Sequence, residues 1–165
     1  MEADLQKTLL MKAGTLLARR AYTRGEMKSK LSPLASQKEV DSALDRLEQL
    51  NLLNDAEYAY NFALCRIKEE GWGPIKVHHS LLRRHVAPLL VESAIDRVRQ
   101  EISDSAALSE HLRRLCRKSG LPADLKGIRN LVLQLHRRGF HEDTIYSTLR
   151  RMIPADAWQA FETGE

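Results

Sequence analysis

A chain of 165 residues, 43 % apolar and 5 % aromatic, can bury a core for one or two domains, or for about three supersecondary units in a row. So few aromatics disfavour a stacking platform for unpaired bases. The formal charge of +4 is unevenly placed, with ten basic against four acidic side chains in residues 108–151 and a net −3 in residues 152–165. That local excess favours an acidic partner, such as DNA or an acidic protein groove.

Helix signals dominate the chain. The first helix is predicted from about Asp4 to Arg20, with Leu5, Leu9, Leu16 and Leu17 on its buried side. Thr23-Arg24-Gly25-Glu26 has capping-box spacing, in which hydroxyl and carboxylate satisfy each other's exposed backbone N–H groups. It opens a second helix carrying Met27 and Leu31, which Pro33 stops. Ser36-Gln37-Lys38-Glu39 is another such box, and Val40, Ala43, Leu44 and Leu47 then follow the i, i+3, i+4, i+7 stripe of a third helix.

Asn54 can cap the fourth helix, expected to run to about Glu70. Gly71-Trp72-Gly73-Pro74 makes a sharp corner, with Pro74 in the first turn of a fifth helix. The corner reads first as a turn whose Trp covers a helix junction, and second as a contact knob. A sixth helix starts near Pro88 and carries Val91, Ala94, Ile95 and Val98. The seventh begins near Asp104-Ser105 and is expected to end at Gly120. Pro122 and Asp124 open the eighth, which ends at Arg137-Arg138-Gly139. The ninth carries Ile145, Thr148, Leu149 and Met152, and Pro154 closes it. The last residues form a short helical tail around Trp158 and Phe161, or fray.

One unit is written three times. Leu31, Leu81 and Leu135 are separated by 50 and 54 residues, and Val40, Val91 and Ile145 by 51 and 54. A period of this size is the mark of a helical repeat. The expected fold is all-α: three tandem three-helix repeats at 1–53, 54–102 and 103–153, followed by an acidic tail at 154–165. Repeats of this kind build an elongated, curved, right-handed-type array rather than one deep pocket.

Little in the chain suggests chemistry. Cys65 and Cys116 form no CxxC or Cys/His cluster. His78 and His79 point about 100° apart on a helix and cannot share a metal from one face. There is no phosphate-binding Gly-x-x-x-x-Gly-Lys loop and no Gly-x-Ser-x-Gly elbow. The expectation is a non-enzymatic cytoplasmic protein with no cofactor, no metal and no membrane segment. The basic pairs Arg83-Arg84, Arg113-Arg114 and Arg137-Arg138 recur near helix ends. A cation there stabilises its helix by a few tenths of a kcal/mol up to about 1 kcal/mol. With Arg117, Lys118, Lys126 and Arg129 they exceed what capping needs, which favours partner binding.

Several segments resemble the RecX regulatory proteins, which restrain the bacterial recombinase RecA. Ala13-x-x-Leu16-Leu17-Ala18-Arg19-Arg20-x-Tyr22-Thr23-x-x-Glu26-Met27-x-x-Lys30-Leu31 looks like that family's opening signature. Leu52-Leu53-Asn54-Asp55-x-x-Tyr58-Ala59 is similar to its first junction. Arg66-x-Lys68-x-x-Gly71-Trp72-Gly73-Pro74-x-Lys76-Val77 is the most specific match, and Leu135-His136-Arg137-Arg138-Gly139-Phe140 also fits. Asn51 stands where the family usually has glycine, Asn54 where it has aspartate and Lys76 where it has arginine. A short extra insert, Lys68 to Gly71, places two acids beside the corner.

The resemblance implies a monomer that lies in the groove of a RecA–DNA filament. There it would inhibit ATPase, strand exchange and co-protease activity, and so modulate recombination, DNA repair and the SOS response. DNA, single-stranded or duplex, would be held weakly or through the filament. The residues expected to contact RecA or filament DNA are Arg66, Lys68, Lys76, Arg83, Arg84, Arg113, Arg117, Lys126, Arg129, Arg137 and Arg138. The alternative is a helix-turn-helix-like DNA-binding regulator. Against it stands the expectation that no single helix concentrates Arg, Asn and Gln.

Overall fold

The computed structural model describes residues 2–117 and 120–164. Lys118 lies outside them. Among the described residues there are ten helices and no strand: α1 (Glu2–Leu17), α2 (Arg24–Leu31), α3 (Gln37–Gln49), α4 (Asp55–Lys68), α5 (Pro74–Leu82), α6 (Pro88–Glu101), α7 (Asp104–Leu115), α8 (Leu125–Arg137), α9 (Glu142–Met152) and α10 (Ala155–Thr163).

The helix starts follow the sequence signals closely. Thr23 and Ser36 are the N-caps of α2 and α3, and both form complete capping boxes with Glu26 and Glu39. Asn54 Oδ1 accepts the Glu57 N–H at 3.0 Å. Asp124 accepts from Gly127 N at the head of α8. Pro74 and Pro88 occupy first helical positions, where a missing N–H costs no hydrogen bond.

The helix ends differ more. α1 ends at Leu17, not Arg20, because Arg20 leaves the helical path to lie over the Tyr22 ring at 3.6 Å and pair with Glu26 at 3.1 Å. α7 ends at Leu115, five residues before Gly120. A Gly120 N–H to Cys116 carbonyl bond closes that segment, with Gly120 at φ +72°. Asn51, His85 and Gly139 terminate α3, α5 and α8 at φ +54°, +60° and +85°. In each case the next residue's N–H returns to the carbonyl five positions back. Asn51 works in place of glycine because its short polar side chain tolerates the left-handed region.

The chain divides into two compact units. The first comprises Met1–Asn61 and Ser80–Ala94, the second Phe62–His79 and Ile95–Glu165. The first unit is built on Leu9, Ala13, Met27, Leu31, Val40, Ala43, Leu44, Leu47 and Leu53, the buried faces of α1, α2 and α3. For α2 and α3 those are the positions the stripe predicts; on α1 Leu9 and Ala13 take the core, while Leu5, Leu16 and Leu17 are only partly buried. The second is built on Leu108, Leu112, Ile128, Leu131, Val132, Leu135, Phe140, Ile145, Leu149, Ile153 and Trp158. The tail helix α10 belongs to that core: Trp158 is buried and its Nε1 donates to Glu162, which also pairs with Arg150 at 3.0 Å. Thr148 is the polar member of the third stripe. It is fully buried and shares a hydrogen bond with Ser105.

Candidate interaction surface

In each arginine pair one member stays on its own helix and the other contacts another segment, Arg114 doing so while still exposed. Arg83, Arg113 and Arg137 are exposed. Their neighbours Arg84, Arg114 and Arg138 reach across to other helices.

In the first unit, Arg84 pairs with Glu26 at 2.9 Å, and its carbonyl accepts the Thr23 hydroxyl at 2.5 Å. Thr23 is completely buried, and Gly25 lies so close to His85 that a Cβ there would collide with it. The N-terminus of α2 is thus locked onto the turn after α5.

In the second unit the N-terminus of α5 meets the turn after α8 in the same way. Gly73 N donates to the Arg138 carbonyl at 2.7 Å, and Ile75 N to the Gly139 carbonyl at 3.1 Å. Both glycines are required by this approach: a Cβ on Gly73 would strike the backbone of Gly139 and Phe140, and one on Gly139 would strike Lys76. Arg138 donates to the Glu70 carbonyl at 2.7 Å and to that of Gly71 at 3.3 Å. Arg114 donates to the carbonyls of Lys68 at 2.6 Å and Glu69 at 3.2 Å. Two guanidinium groups from elsewhere therefore satisfy the orphan carbonyls at the end of α4.

His111 sits among these groups. Its ring packs on Gly71, it is 7 % exposed, and its Nε2 has no hydrogen-bond partner. Burial, then the nearby positive charges of Arg138 and Arg114, push its pKa down to about 4, so the ring is neutral near pH 7.

The corner holds further cations. Trp72 lies against Lys76, whose Nζ is 4.0 Å from the ring centroid, and Arg66, whose Cζ is at 4.9 Å. Arg66 also lies 5.0 Å from the Phe62 ring and pairs with Glu70. Lys68 pairs with Glu101 at 2.8 Å. The insert's acids therefore have local work, since Glu70 holds Arg66 and lends its carbonyl to Arg138. Trp72 is half-buried, an aromatic on the junction with cations against it.

Of the eleven residues expected at a partner surface, Arg66, Lys68, Lys76, Arg84 and Arg138 are thus engaged inside their own units. Arg113 is exposed and touches only Glu110, its neighbour on the same helix, at 3.3 Å. Arg83 is exposed with a long contact to Ser80. Arg117, Lys126, Arg129 and Arg137 are exposed and make no ion pair among the described residues.

Sequence reasoning named Lys126, Arg129 and Arg137 singly and did not gather them into one face of α8. This helix contains no acidic residue, and it carries Lys126, Arg129, Asn130, Gln134 and Arg137 exposed around Leu133. The expectation that no helix concentrates Arg, Asn and Gln does not hold for it. The signal was available: these positions are the complement of the buried stripe Ile128, Leu131, Val132 and Leu135.

Among the described residues no group of three or more His, Cys, Asp or Glu side chains could hold a metal ion, and both cysteines are free. No helix among them is long and apolar enough to cross a membrane.

No protein-family model matches the chain. It is 32 % identical to regulatory protein RecX of Chromobacterium violaceum over 145 residues, 87 % of this chain and 90 % of that protein. Regulatory protein RecX of Prosthecochloris aestuarii is 28 % identical over 92 % of this chain and 97 % of its own length. With regulatory protein RecX of Thermus thermophilus the identity is 36 %, but the match spans 52 % of this chain and only 59 % of the relative. The fold matches the crystal structure of RecX from Lactobacillus salivarius with a TM-score of 0.74, at 20 % identity, over 91 % of this chain and 97 % of that one. The near full-length likeness in sequence to the Chromobacterium protein settles the relationship: this chain belongs to the RecX family of regulatory proteins.

Proposed function

We propose that this chain is a non-enzymatic, intracellular regulator that binds RecA and RecA–DNA filaments as a monomer and restrains the recombinase. The observation that carries the reading is its likeness to RecX regulatory proteins along nearly their whole length. Restraint of ATPase, strand exchange and co-protease activity would follow from occupying or capping the filament, with effects on recombination, repair and the SOS response.

The two locked joints support three tandem three-helix repeats as the architecture. Thr23 and Gly73, which open α2 and α5, lie 50 residues apart in sequence; Arg84 and Arg138, whose carbonyls receive them, lie 54 apart. Those are the spacings at which the apolar stripe recurs, so one joint is made twice with different side chains.

The deciding experiment is RecA ATPase on single-stranded DNA with increasing amounts of this protein. Progressive slowing toward stoichiometric amounts is expected, and unchanged turnover there would sink the reading. A second reading, a DNA-binding regulator independent of recombinase, gains from the α8 face. Sequence-specific duplex binding with no effect on RecA would favour it.

A further inference from the structure

We propose that the exposed face of α8 is a docking surface for the phosphate backbone of duplex DNA. This deepens the proposed function by assigning its DNA contact to one helix, yet it requires no recombinase.

Three observations carry it. First, the face is free of acid. α8 contains neither Asp nor Glu, and Asp124, the nearest acid in sequence, holds the Gly127 N–H as the N-cap. Second, its cations are unpaired. Lys126, Arg129 and Arg137 are exposed and make no ion pair among the described residues, whereas Arg66, Arg84, Arg99 and Arg150 all hold carboxylates. Helix-end stabilisation gives a local reason for Arg137, in the last turn of α8, but none for leaving Lys126 and Arg129 beside it without counter-charge. Third, the face is built as one stripe. At 3.6 residues per turn, positions 126, 129, 130, 133, 134 and 137 fall within one exposed arc extending about 16 Å along the axis. Asn130 and Gln134 add amide donors and acceptors between the charges.

The same face argues for duplex over single strand. It bears no aromatic side chain, so it has nothing on which unpaired bases could stack. A duplex offers one phosphate charge per about 1.7 Å of axis, and its major groove, about 12 Å wide, accepts one helix. Contacts to phosphate position a protein without reading sequence, so binding on this face is weak, salt-dependent and largely indifferent to sequence.

The test is fluorescence anisotropy of a labelled 24-base-pair duplex, and of one of its strands alone, without recombinase and over a range of salt. The variants are the triple Lys126→Gln, Arg129→Gln, Arg137→Gln and a charge-matched control on exposed positions of the first unit, Lys7→Gln, Lys12→Gln, Lys38→Gln. The α8 triple is expected to weaken duplex binding at least about tenfold near 0.1 M salt. It should also flatten the log–log salt slope by about 2 to 3, because each lost contact removes about 0.9. The control should do neither. Coincident thermal melts establish that both variants fold.

Equal losses in the two triples, a loss confined to the single strand, or no duplex binding by the parent would each overturn the proposal. RecA ATPase measured with the same proteins keeps the two conclusions apart. A parent that fails to slow RecA removes the regulator reading and leaves the α8 result standing.

Discussion

The joint of the first unit and the joint of the second solve one problem with different chemistry. Both seat the start of a helix on the turn that ends a later one. At Thr23 the link is a buried hydroxyl on the Arg84 carbonyl, reinforced by the Glu26–Arg84 ion pair and a close Gly25–His85 approach. At Gly73 it is a backbone amide on the Arg138 carbonyl, with glycine against glycine and no side chain between. The side-chain joint can lose a group and relax. The backbone link itself has no side chain to trim. Tolerance to substitution should therefore differ sharply between two sites of the same geometry.

Gly139→Ala tests this most severely. Its Cβ would enter the Lys76 backbone while the residue is held at φ +85°, so strain and overpacking act together. A loss of about 3 kcal/mol or more is expected in urea unfolding, and a loss below about 1 kcal/mol would mean the joint is loose.

Acid is the next largest lever, through His111 at the second joint. The folded pKa of His111 lies below its ordinary value of 6.5, at about 4. The unfolded chain therefore binds the proton first as pH falls. Stability held above pH 6.5 declines through the window down to about 4, by up to roughly 3 kcal/mol. His111→Leu should flatten that part of the parent's pH–stability curve. Parallel curves for the two proteins would remove His111 from the account.

Thr23→Ala sharpens the comparison from the other side. It removes an N-cap and a buried bond to Arg84, with an expected cost of about 1–2 kcal/mol in the same urea assay. Arg138→Ala should cost a similar amount, because it leaves the Glu70 and Gly71 carbonyls without their guanidinium. Its neighbour gives the smallest effect: Arg137→Ala is expected to stay within about 0.5 kcal/mol, while weakening duplex binding.

That contrast between neighbours marks where sequence reading stops. Capping boxes, proline positions and apolar stripes are local patterns, and they placed the starts of α2, α3, α5 and α8, most of the first core and, in the second, Leu131, Leu135, Ile145 and Leu149. Arg137 and Arg138 look identical in sequence, because what separates them is the direction each takes from the end of α8 and which orphan carbonyls lie within reach. Those carbonyls belong to Glu70 and Gly71, 68 and 67 positions earlier in the chain. His111 was equally invisible, since its neutral state depends on Gly71 and Arg138 from distant segments as well as on Arg114 of its own helix. The α8 face could have been read, as the plain complement of its buried stripe. Counting charges by segment blurred it into the general basicity of residues 108–151.

Neither unit is a continuous stretch of chain, and this bears on how the protein can be cut and how it leaves the ribosome. The first 61 residues are completed by Ser80–Ala94, and the hydroxyl of Thr23 waits for a carbonyl 61 positions away. A fragment ending at residue 53, where the proposed first repeat closes, keeps the core side chains of α1 to α3 but loses the surface that covers Thr23 and Gly25. Such a fragment should melt broadly, and one ending at residue 94 should recover a cooperative transition. During synthesis, nascent helices α1 to α3 would gain their lasting stability only once α5 and the head of α6 had cleared the exit tunnel.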